Sequence, residues 1–194
     1  MKQILLAATC SFMSIVLHAQ STSPGYIVTT SNDTLAVQIK MKRNVFGQVT
    51  NNYTDEVEVV DSVKGTIKYL PGDIHAYGIV REDHKLMFVS KPTTSGEQKF
   101  LYPMYVGPKS SLYAYGIFTS GGGYAMPNKQ VFYTFEKAGG IFLCLKNIVN
   151  KKFKAQVKAF YQDSPAVMEI IDSKLKYWLE LDKDLLVILK KANE

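Results

Sequence analysis

The chain has 194 residues, 46% of them hydrophobic and 21% charged, with a formal net charge of +6. That length supports one domain, or one domain with a small appendage, and a core large enough to fold without a disulfide scaffold. The positive excess is carried by lysine: the only arginines are Arg43 and Arg81. Arginine is the usual reader of phosphate and base edges, so nucleic acid is not an expected partner despite a pI near 9.1.

Lys2, the apolar runs Ile4 to Ala8 and Phe12 to Leu17, and the ending Leu17-His18-Ala19 read as a secretory signal over residues 1–19. Cleavage after Ala19 leaves 175 of the 194 residues, starting at Gln20, and lowers the charge to +5 because Lys2 departs. Export to the periplasm or the cell surface is therefore expected. Cys10 leaves with the leader, so Cys144 stands alone in the mature chain, which excludes an intramolecular disulfide or a thiolate metal cluster there. Leu6-Ala7-Ala8-Thr9-Cys10 has the outline of a lipidation box. The apolar run before Cys10 is shorter than the roughly 7 to 15 residues a leader uses, which argues against it. No later apolar run approaches the roughly 18 residues of a membrane-spanning helix, so none is expected in the mature chain.

After the leader the pattern has period two. Leu35, Val37, Ile39 and Met41 alternate with Ala36, Gln38, Lys40 and Lys42, predicting a strand with one apolar and one mostly polar face. Tyr26-Ile27-Val28 precedes it across Ser31-Asn32-Asp33, so the two runs read as a hairpin. Further strands are predicted over Val57 to Val60, Thr66 to Leu70, His75 to Val80, Lys85 to Ser90, Lys99 to Val106, Leu112 to Phe118, Gln130 to Glu136 and Ile141 to Leu145. Leu70-Pro71-Gly72-Asp73 suits a type II turn, with proline presetting the first central φ and glycine accepting the positive one. Gly121-Gly122-Gly123 lacks the Gly-Lys-Ser/Thr ending and following helix of a phosphate-binding loop, and reads as a hairpin tip between two aromatic strands.

From Asn147 the period changes to about 3.6. Phe153, Val157, Phe160 and Tyr161 share one helical face and Lys151, Lys154 and Lys158 the other. Ser164 before Pro165 predicts a cap with proline at the first helical position, leading Val167, Ile170 and Ile171 onto one stripe. A last helix is predicted from near Asp182, presenting Leu185, Leu186, Ile188, Leu189 and Ala192. The expected fold class is α+β: a mainly antiparallel β domain over residues 20–146, built as a twisted sheet, a partly closed barrel or a sandwich, with a C-terminal helical segment over residues 147–194 packed on the sheet.

For function the residues offer three readings. The first is contact. The chain has twelve tyrosines, and Tyr102, Tyr105, Tyr113, Tyr115, Tyr124 and Tyr133 fall in one stretch, where exposed rings would serve a protein or glycan partner. The same rings can equally pair across strands inside a sheet. The second is a small hydrolase using His75 or His84, with Asp73 or Asp83 and a hydroxyl from Ser90 or Ser95. Neighbours on a strand face opposite ways, which separates Asp83 from His84. The third is a weak anionic-surface binder using Lys151, Lys154 and Lys158, a stripe that ordinary solvated helices also show. No cofactor or metal site and no catalytic residue is assigned, and oligomeric state is left open. Cys144 reads as a small buried hydrophobe.

The Ala19-Gln20 ending of the leader, Gly25-Tyr26-Ile27-Val28-Thr29 with Asn32-Asp33-Thr34-Leu35, Leu70-Pro71-Gly72-Asp73-Ile74 and Ser111-Leu112-Tyr113 together resemble a group of uncharacterised secreted proteins common in Bacteroidetes. In that group a β-rich segment precedes a short helical end like Phe153 to Leu189. The resemblance implies a bacterial cell envelope and carries no activity. The triple glycine and Met126-Pro127 depart from the pattern. Together these features predict an exported envelope protein acting by contact rather than catalysis.

Overall fold

The computed structural model describes residues 22–42, 52–80, 85–93, 96–119, 128–147, 150–175 and 180–194. Within them the chain forms ten strands and then three helices. The strands are β1 (Thr22–Thr29), β2 (Thr34–Lys40), β3 (Val57–Asp61), β4 (Gly65–Tyr69), β5 (Ile74–Val80), β6 (Lys85–Pro92), β7 (Gln98–Tyr105), β8 (Ser110–Thr119), β9 (Asn128–Lys137) and β10 (Ile141–Lys146). The helices are α1 (Lys151–Phe160), α2 (Pro165–Lys174) and α3 (Leu181–Ala192). All strands belong to one antiparallel sheet in the order β10-β9-β8-β7-β6-β5-β1-β2-β3-β4. This is the α+β arrangement expected, and of the three β architectures weighed it is the twisted sheet, with its two ends left unjoined by any ladder.

The predicted turn residues explain the hairpins. Asn32 adopts φ 68°, a left-handed conformation asparagine tolerates, and closes β1 on β2. Gly72 adopts φ 101° as the type II reading requires, and Asp73 N donates to Leu70 O at 3.1 Å. The alternation along β2 also holds, with Ile39 and Met41 buried, but Leu35, at 48% exposed, lies outside the core because it sits at the start of the strand beside the turn.

The sheet curls strongly over its first seven strands. β4 and β5 stand four places apart in the order, about 19 Å on a flat sheet, yet the tight turn at Leu70–Asp73 joins them. The segment leading into β3 also reaches the start of β7, beyond the ladder with β8, where Phe100 N donates to Thr54 O at 2.8 Å. The curl encloses a first core of Ile27, Ile39, Val57, Val59, Ile74, Tyr77, Ile79 and Phe100. Tyr77 stacks on Phe88, meets Phe100 edge-on and donates its hydroxyl to Tyr53 O. Burial drives its phenol well above the ordinary range. Gly25 is required here, since a Cβ would lie 2.4 Å from Gly78 O and 2.5 Å from Ile39 Cδ1.

From β7 onward the sheet buries its apolar face beneath helices instead. Leu112 from β8, Tyr133 and Phe135 from β9, and Leu145 from β10 meet Phe153, Val157, Tyr161, Val167, Ile171, Leu185, Ile188 and Leu189. α3 packs on β7 and β8, and α1 on β10. Asn150 caps α1, its Oδ1 accepting from Phe153 N at 2.8 Å. Pro165 opens α2 as predicted, but the Ser164 side chain makes no cap hydrogen bond; its backbone carbonyl receives Val167 N and Met168 N. No helix among the described residues is long and apolar enough to cross a membrane.

Candidate functional site

The tyrosine-rich strands divide their side chains between two faces. Paired residues of an antiparallel ladder share a face, so the register Leu112↔Phe135 and Ala114↔Tyr133 marks the helix-covered side. Tyr113↔Thr134 and Tyr115↔Phe132 mark the opposite side. On that opposite side Tyr113 Oη donates to Glu136 Oε2 at 2.7 Å, and Lys91 Nζ reaches Glu136 Oε1 at 2.8 Å while lying 5.4 Å from the centre of the Tyr113 ring. Lys91 is on β6 and Glu136 on β9, three interstrand steps or about 14 Å apart on a flat sheet. The pair thus links strands that are not neighbours in the sheet. Burial and then the Glu136 hydrogen bond hold the Tyr113 phenol well above its ordinary pKa, so it stays a donor across the physiological range.

Next to this cluster Tyr115 stacks on Phe132 with ring centres 5.0 Å apart and planes 11° from parallel, and its hydroxyl lies 3.5 Å from Cys144 Sγ. Burial first, then the thiol contact, raises its pKa. Lys99 Nζ pairs with Asp55 at 2.7 Å and Glu97 at 2.8 Å. Burial pulls the Lys99 pKa down, but the two carboxylate hydrogen bonds outweigh it and the net shift is upward, so Lys99 keeps its charge.

The six tyrosines meet different fates. Tyr113 and Tyr133 are only 4% and 2% exposed, on opposite faces of the same sheet. The Tyr133 hydroxyl is taken by Asp182 at the start of α3. Tyr105 packs beside the helix-covered core, while Tyr115 is half-buried. Tyr102 is exposed at 44%, its ring edge-on to Phe88. Tyr124 and the triple glycine lie outside the described residues, as do the leader with Cys10, and Asp83, His84 and Ser95.

His75 sits at the exposed end of β5, where its Nδ1 lies 3.0 Å from Asn32 Oδ1. The partner is an amide, and Asp73 accepts from Leu70 N within its own turn at 2.7 Å. Ser90 pairs with Gln98 at 3.4 Å. His75, Asp73 and Ser90 thus have separate partners. Lys154 and Lys158 both bind Asp172 of α2, at 3.0 and 2.6 Å, so two lysines of the predicted stripe tie α1 to α2. Among the described residues no group of three or more His, Cys, Asp or Glu side chains is placed to hold a metal ion.

The residues that sequence reasoning missed are Lys91, Glu136, Lys99 and Asp55. Each is an ordinary charge on a strand or turn, and its partner comes from another strand or turn of the sheet. The chain matches no protein-family model, no curated protein and no solved structure.

Proposed function

We propose that this chain is an exported bacterial envelope protein of the secreted, β-rich type common in Bacteroidetes, and that it works by contact with a protein or glycan partner rather than by breaking bonds. The observation that carries the contact reading is the face of β7–β9 turned away from the helices. There a half-buried Tyr115–Phe132 stack stands beside the Lys91–Glu136 pair and the Lys99 carboxylate pairs. Aromatic rings rimmed by ordered charges are the composition of interaction surfaces. Each stacked ring gives one face to the other, which suits a protein partner filling the space beside them. Tyr102 pairs with Ala114 and so stands on the other face of β7, and its exposed ring is not part of this surface. The amide partner of His75 also supports a non-enzymatic reading, because acid–base work needs a carboxylate and a hydroxyl within reach of the imidazole.

The test has two arms. The full chain expressed in a diderm bacterium should appear in the envelope fraction with Gln20 as its first residue by mass spectrometry; an intact leader on a cytosolic product would overturn the export reading. Purified residues 20–194 should bind isolated envelope fractions saturably, and Tyr115→Ala should weaken that binding about tenfold in a folded protein, the scale of a modest interface hot spot, while Tyr102→Ala, on the other face, should leave it unchanged. Loss after protease treatment of the fraction identifies a protein partner, and loss after muramidase a glycan. Unaltered binding in folded Tyr115→Ala removes this surface from consideration.

A further inference from the structure

The turn between β7 and β8 receives the far end of the chain. Asn193 Oδ1 accepts from Lys109 N at 2.9 Å and from Ser110 N at 3.1 Å, while its Nδ2 donates to Ser110 O at 2.9 Å and to Leu189 O at 2.7 Å. One amide side chain thus meets four backbone groups, two on β8, one in the turn before it and one in the last turn of α3, and both its donor and acceptor ends are in use. Gly107 completes the fit: a Cβ there would lie 2.3 Å from Asn193 Oδ1 and 2.4 Å from its Cγ. The same short segment holds α1, since Ser110 Oγ lies 2.7 Å from Tyr161 Oη and donates to Glu136 O.

We propose that the Asn193 side chain is a latch that keeps α3 closed over the apolar side of β8, so that local opening of the helical layer is set by one residue. Withdrawing it would break the only side-chain hydrogen bonds between the last turn of α3 and the β7–β8 turn region among the described residues, and would let α3 lift from Leu112 while the curled unit of β1–β7 keeps its own core. Glycine at position 107 belongs to the device, because any side chain there drives the amide out of its seat. This conformational role is independent of the contact reading above.

The test is amide hydrogen exchange on the full chain for the wild type, Asn193→Ala, Gly107→Ala and the double variant. Each single change should speed exchange of the α3 amides and of Lys109 and Ser110 N–H about tenfold, the equivalent of roughly one to two lost hydrogen bonds. Amides of β1–β6 should be unchanged. The double variant should exchange no faster than the single ones, because both substitutions remove the same contact. Asn193→Asp keeps the acceptor but sets a carboxylate oxygen against the Ser110 and Leu189 carbonyls in place of both donations, and should exchange at least as fast as alanine. Unchanged α3 exchange, additive effects of the two substitutions, or a variant that loses protection in β1–β6 as well would each overturn the latch.

Discussion

The two halves of this sheet solve one problem in different ways. Between β1 and β7 the sheet covers its apolar face with itself, curling until Thr54 reaches Phe100 and gathering Ile27, Ile39, Tyr77 and Phe100 inside. Between β7 and β10 it stays open, and three short helices cover it through Val157, Ile171, Leu185 and Ile188. A curled sheet needs glycine where backbones approach, as at Gly25, whereas a helix-covered sheet needs amphipathic segments that cannot stand alone. The difference makes the first half self-sufficient and the second dependent on docking.

The strongest way to break this comparison is a cavity in each core. Phe100→Ala and Phe135→Ala each remove a fully buried ring and should cost about 3–5 kcal/mol by chemical denaturation. Hydrogen exchange should separate them: Phe135→Ala should loosen β8–β10 and the helices while β1–β5 stay protected, and Phe100→Ala should loosen both halves through β7. Equal loosening everywhere in Phe135→Ala would mean that the halves form one cooperative unit.

The seam comes next. Glu136→Gln removes the charge that holds Lys91 and Tyr113 across three strands, and should cost about 1–3 kcal/mol, the range for hydrogen bonds to a charged group. In a double-mutant cycle with Lys91→Met the two changes should be non-additive; simple additivity would show that the pair does not tie β6 to β9.

The smallest effects lie at the helix starts. Asn150→Ala should cost about 1 kcal/mol, because it removes a cap that is made, whereas Ser164→Ala should stay within about 0.5 kcal/mol, because its side chain makes none. Equal losses in thermal unfolding would contradict the assigned caps.

Sequence reasoning succeeded where the cause is local. The alternation through Ile39 and Met41, the turn at Pro71-Gly72 and the proline opening α2 are each written within a few residues, and the structure carries all three. It failed where the cause is distant. Alternation puts Tyr113 and Tyr115 on one face of their strand but cannot say that Glu136 will cover Tyr113 or that Asp182 will cover Tyr133, since these partners lie 23 and 49 residues away. Nor does a strand pattern name ion-pair partners elsewhere in the sheet, so those of Lys91 and Lys99 appear only with the fold. Ser164 shows the limit within a motif: the residue type suits a cap, yet the side chain goes unused there.

Strand β7 is hydrogen-bonded in both halves, to β6 through Lys99 and Phe100 and to β8 through Tyr102 and Pro103. Every strand of the curled half lies between Thr22 and Tyr105, ahead of β8–β10 and all three helices, so a chain that folds from its N-terminus completes this half first. The later half then finds its template already in place, and the order along the chain becomes the order of assembly.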